Sequence, residues 1–142
     1  MDNAHLGIAL LSLGGIATIG AGSLFWAYKG AGSVAVLFLE VMPAPQGLPD
    51  AIHYLFQTGV SAYCAGNYRR ALDAFNQVLQ IQADLAEAFH DRGLCLANLR
   101  QDDQATRSFV RAAELYLVQN DWPSAELVKQ HLRALKQRKQ AK

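Results

Sequence analysis

Three regimes of hydrophobic patterning follow one another along the chain. From Leu6 to Tyr28 it reads LGIALLSLGGIATIGAGSLFWAY, with no charge and no polar face. A helix of that length spans ~35 Å at 1.5 Å per residue, enough to cross a hydrocarbon core of about 30 Å. Trp26, Tyr28 and Lys29 close its end, the order an interface with headgroups favours. Residues 31–49, AGSVAVLFLEVMPAPQGLP, are apolar from Val34 to Met42 except for Glu40, then broken by Pro43, Pro45, Gly47 and Pro49. That run is too short to span a bilayer, and the prolines end any regular element. From residue 50 onward, charged and apolar positions alternate in the manner of an ordinary soluble helical domain.

The pattern predicts an all-α chain: a tail over 1–5, a transmembrane helix over 6–28, an apolar juxtamembrane segment and Pro-rich spacer over 29–50, and a helical domain over 51–142. A cleaved signal peptide is disfavoured, because residues 1–5 carry no Lys or Arg where such a peptide has a basic start. Lys29 lies after the span and no cation before it, which sets the helical domain on the cytoplasmic, or stromal, side. Gly14, Thr18 and Gly22 recur at four-residue spacing with Gly7 near the same face, a stripe that admits close approach of another membrane helix. For residues 31–42 three placements are open: continuation of the membrane helix, an interfacial segment, or an apolar strip folded into the soluble domain's groove.

Within the helical domain the sequence repeats. Gly59 and Gly93, Ala71 and Ala105, and Phe75 and Phe109 are each offset by 34 residues. Small residues at such positions let two helices approach, Gly66 can take the positive φ that ends a helix, and Tyr68, Phe75, Phe89 and Phe109 fill the space between layers. The segment GVSAYCAGNYRRALDAFNQVLQIQADLAEAF closely resembles a tetratricopeptide repeat, whose period is 34. The resemblance places one repeat over about 52–85 and a degenerate second over about 86–119, in which Arg100 and Asp102 stand for the turn glycine and the tyrosine. Asn120-Asp121-Trp122-Pro123-Ser124-Ala125 mimics Gly66-Asn67-Tyr68-Arg69-Arg70-Ala71. It opens a capping helix over about 123–138 with Val128, Leu132 and Leu135 on its apolar face.

The resemblance implies a protein-binding groove lined by the first helix of each repeat: His53, Phe56, Gln57, Val60 and Tyr63, then Glu87, His90, Asp91, Leu94 and Asn98. Relatives that grip acidic C-termini use Lys and Asn, whereas Phe56 and Val60 hold the matching places here. Phe56 and Val60 have a second use, packing on the chain's own strip Val34–Met42.

Composition changes this picture little. The formal net charge of +1 over 142 residues creates no field that would draw nucleic acid. The basic end Lys129, Arg133, Lys136, Arg138, Lys139 and Lys142 is read as a solvated helix end complementing the helix dipole. Cys64 and Cys95 lack metal or redox spacing, and His5, His53, His90 and His131 are scattered. No catalytic residue, metal site, cofactor or small-molecule substrate is expected. The expectation is a membrane-tethered scaffold that binds other proteins, resembling the thylakoid-anchored tetratricopeptide proteins that assist photosystem I assembly. The alternatives are a permanent small subunit of a membrane complex, or a bacterial inner-membrane adaptor for secretion or division machinery.

Overall fold

A computed structural model describes residues 36–141, and the expected membrane helix over 6–28, with its Gly7, Gly14, Thr18 and Gly22 stripe, lies outside the described residues. Among the described residues no helix is long and apolar enough to cross a membrane. All regular structure there is α-helical: α1 Asp50–Cys64, α2 Tyr68–Ile81, α3 Ala86–Asn98, α4 Asp102–Val118 and α5 Trp122–Gln140. Connections of three or four residues fold each helix back on the one before, and each helix packs on its neighbours in sequence. The middle helix, α3, is covered on almost every side, from Ala86 and Ala88 through Gly93 to Ala97.

Three of the four turns share one geometry. At the α1–α2 turn Asn67 N–H donates to Ala62 O and Gly66 N–H to Tyr63 O, both at 2.9 Å. Gln101 and Arg100 repeat the pair on Leu96 and Ala97, as do Asp121 and Asn120 on Tyr116 and Leu117. This crossed pair is the Schellman closure, and it needs a left-handed residue just past the helix. Gly66 supplies it at φ +76, Asn120 at φ 59, and Arg100 at φ 63. Two of the helices that follow start alike: Asn67 Oδ1 accepts from Arg70 N–H, and Asp121 Oδ1 from Ser124 N–H, whereas Gln101 before α4 makes no such cap. Ala71, Ala105 and Ala125 then stand one turn in, all buried.

Arg100 is the costly member of this set, because an L side chain in the left-handed region is strained by ~1–2 kcal/mol. Its side chain is exposed. Arg100→Gly is therefore expected to raise stability by about 1 kcal/mol, read as a higher urea midpoint with an unchanged slope. A lower midpoint would show that the turn is not left-handed there.

The 34-residue period reappears as paired contacts. A Cβ added at Gly59 would lie 2.8 Å from the Phe75 ring, and one at Gly93 would lie 2.6 Å from the Phe109 ring. Each glycine is thus the floor on which an aromatic ring from the next helix rests. Phe56 is fully buried against Phe75, centroids 5.2 Å apart at 73°. The far end of α5 is locked by Arg138, which pairs with Asp102 at the start of α4 and donates to Ala97 O at 2.8 Å at the end of α3. Lys139 pairs with Asp103, and Lys129 and Arg133 with Glu126. Much of the basic end is therefore engaged within the domain. The exposed pairs contribute ~1 kcal/mol or less each.

Candidate functional site

The described part of the apolar strip forms no helix. Residues 36–45 are irregular, bend at Leu37, and reach α1 through a turn at Gly47, φ +80. They cross a groove to which α1, α3 and α5 each contribute side chains. Of the three placements open from sequence, the described part of the strip takes the one in the groove.

Asn98, at the end of α3, is the main clamp. Its Oδ1 accepts from Leu37 N–H and Phe38 N–H, both at 3.1 Å. Its Nδ2 donates to Phe38 O and to Tyr63 Oη, both at 2.8 Å. Tyr63 Oη in turn donates to Phe38 O at 2.7 Å. An amide offers two acceptor lone pairs and two N–H donors, and all four are used. Two turns earlier on the same face, Asp91 Oδ1 accepts from Met42 N–H at 2.8 Å. The strip therefore runs against the direction of α3. Its main chain, rather than its side chains, is what the polar residues of the groove hold.

Asp91 is fully buried, and its Oδ2 has no hydrogen-bond partner in the described structure. Burial pushes its carboxyl well above the usual range; the Met42 amide opposes that rise and Glu87 adds to it. Burial likewise pushes the Cys95 thiol and the Tyr63 and Tyr116 hydroxyls up. Such a buried thiol is inert.

The strip's one aromatic side chain, Phe38, rests on a second cluster. It meets Phe109 edge-on at 5.9 Å and the His131 ring at 4.4 Å. Phe109 gets there by lying across Gly93, so the glycine's missing side chain is what lets an α4 ring reach the groove. Beneath, His90 Nε2 faces His131 Nδ1 at 3.0 Å and His90 Nδ1 faces Tyr116 Oη at 3.3 Å. Either direction of proton donation satisfies this chain when both rings are neutral. Burial, and then the neighbouring His131, push His90 down to about 3; burial pushes His131 down to about 4.

The groove residues expected from sequence divide accordingly. Tyr63, Asp91 and Asn98 touch the strip directly, and His90 supports the seat of Phe38. Phe56 and Leu94 are buried in the core, Val60 packs partly against it, and Glu87 is half-buried near Asp91. His53 and Gln57 are exposed on α1, where Gln57 lines a separate shallow depression with Tyr54 and Arg70. Two groove members, Phe109 and His131, were not in the expected lining. His131 carried only a faint signal, its position one residue before Leu132 on the apolar face of α5.

Comparison of the chain with protein-family models, with curated proteins and with solved structures gives no match in any of the three. The groove's chemistry therefore rests on its own geometry. It has hydrogen-bonding side chains aimed at the backbone of residues 37–42, an aromatic seat, and no clustered metal ligands among the described residues. That equipment holds the chain's own residues 37–42.

Proposed function

We propose that the chain is a membrane-tethered scaffold of the tetratricopeptide type that binds other proteins and assists assembly of a membrane complex, of the photosystem I kind. The observation that carries the protein-binding part is the groove itself: Asn98, Tyr63 and Asp91 hold the main chain of a non-helical segment while Phe109 and His131 receive its aromatic side chain. Extended segments are recognised elsewhere in this way, with main-chain hydrogen bonds for affinity and a pocket for specificity. Support for the repeat type comes from the Gly–Phe pairs spaced by 34 residues. Support for the tether comes from the uncharged run Leu6–Tyr28 and the glycine stripe within it. A tethered binding module raises the local concentration of its partner at the membrane, which is what an assembly factor requires.

The test is a mild-detergent pull-down of the tagged full chain beside a Gly14→Leu/Gly22→Leu variant. The proposal expects membrane-complex subunits with the wild type and their loss with the variant. Recovery of soluble proteins only, unchanged in the variant, would remove the membrane-complex part.

A second reading, a permanent small subunit, draws on one observation. Leu117, Val118 and Trp122 flank the α4–α5 turn with 37%, 80% and 63% of their surface exposed, an apolar group of the kind a fixed neighbour covers. Equimolar recovery with one complex at every purification stage would favour it over a transient factor.

A further inference from the structure

The groove is already filled, by the chain itself, and the manner of filling indicates that the filling is reversible. Every residue of the buried hydrophobic core lies between Ile52 and Leu135. Leu37, Phe38 and Val41 pack against that core only partly, while Val36 and Leu39 are 41% and 83% exposed. The strip thus lies over the core, against Tyr63, Asp91 and Phe109, rather than within it. It is fastened by side chain to main chain hydrogen bonds at Leu37, Phe38 and Met42. Bonds of this kind are indifferent to the sequence of the segment they hold. The closed arrangement also carries a standing cost: Asp91 is buried with Oδ2 unsatisfied, and a buried polar atom without a partner is unfavourable. Lifting the strip would hydrate that carboxyl.

We propose that residues 36–42 are an internal occupant of the groove, exchangeable for a largely apolar, non-helical segment of a protein partner that places an aromatic ring between Phe109 and His131 and its backbone on Asn98. This deepens the protein-binding reading and rests on it. The occupant's chemistry follows from its present one. The ring seat is shaped by Phe38. An incoming segment must displace a competitor on the same chain, so the free protein binds it weakly, reduced by the fraction of chains that are open.

The experiment uses the full chain in mild detergent and a fluorescein-labelled synthetic peptide of residues 36–46, with binding followed by fluorescence anisotropy. A Leu37→Ser/Phe38→Ser variant weakens the internal occupant. It is expected to bind the peptide at least ~10-fold more tightly than the wild type, and adding Asn98→Ala should remove that gain. The peptide carrying the Phe38→Ser change should fail to bind the opened variant. Equal binding by wild type and opened variant, with helical circular dichroism retained, overturns the exchange. Loss of the helical signal in the opened variant overturns it as well, since the strip would then be part of the fold. The readout needs no cellular partner. A positive pull-down with a negative peptide result therefore removes the exchange alone, and the converse result removes the membrane-complex reading alone.

Discussion

Gly93→Val is expected to cost the domain about 3 kcal/mol or more and to lower its melting temperature by roughly 15 °C. A Cβ at that position would stand 2.6 Å from two ring atoms of Phe109, and the ring has little room to retreat. It is fully buried, with His90, His131 and Phe38 around it. Small domains hold ~5–15 kcal/mol in total, so one substitution removes a large share. The mechanism makes a further demand. Gly93→Val combined with Phe109→Leu should recover part of the loss, with a coupling of about 1 kcal/mol or more between the two sites. Gly59→Val should behave alike against Phe75, somewhat less severely at 2.8 Å. Wild-type stability in Gly93→Val, by denaturant titration, would mean that α3 and α4 do not approach as described.

Acidification should weaken the fold, and one histidine should account for much of the slope. His90 and His131 are held neutral, near 3 and 4, whereas an unfolded histidine titrates near 6.5. Protons therefore bind the unfolded chain first. The histidines' contribution is complete above pH ~6.5 and is lost as pH falls toward 4. Asp91 acts in the opposite sense. Its carboxyl is raised in the folded chain, so its contribution is greatest at low pH and lost as pH rises from the unfolded value of about 3.8. Two histidines against one carboxyl leave a net uptake of about one proton on unfolding. Before solvent screening at the partly exposed His131 is counted, that amounts to at most ~2 kcal/mol between pH 6 and pH 4.5 at ~1.4 kcal/mol per proton per pH unit, and the screening lowers it. His131→Gln keeps a hydrogen-bonding partner for His90 and removes one titrating ring, so it should nearly flatten that limb. Asp91→Asn should steepen it. Urea midpoints at several pH values read both, and equal slopes in wild type and His131→Gln would contradict the buried histidine pair.

Much of the helical layout is legible in the sequence because it depends on local, one-to-one sterics. A glycine and a phenylalanine recurring together at 34-residue spacing have one economical meaning, a ring lying on a bare backbone. Asn67 and Asp121 announce helix starts because a short acceptor side chain can reach the amide three residues on. Arg100 is a case where composition misleads. Its left-handed φ is set by the crossed hydrogen bonds of the turn and not by its own preference, so a turn without glycine there looks degenerate while its geometry is intact. The groove was legible only in part. Tyr63, Asp91 and Asn98 reach the strip, but Phe56, two turns before Tyr63 on nearly the same face of α1, packs on Phe75 in the core. The His90–His131 contact joins residues 41 apart, and no periodicity encodes it. The seating of the strip depends on one amide meeting one carbonyl at the right angle, which hydrophobic patterning does not carry.

Backbone amide hydrogen exchange at Leu37, Phe38 and Met42 in the full chain tests the occupied groove most directly. Seated on Asn98 and Asp91, these amides should exchange ~10-fold or more slowly than the same residues in a free peptide, and Asn98→Ala should release Leu37 and Phe38 while the helices stay protected. Free-peptide exchange rates at all three positions in the wild type would mean that residues 36–42 do not lie in the groove.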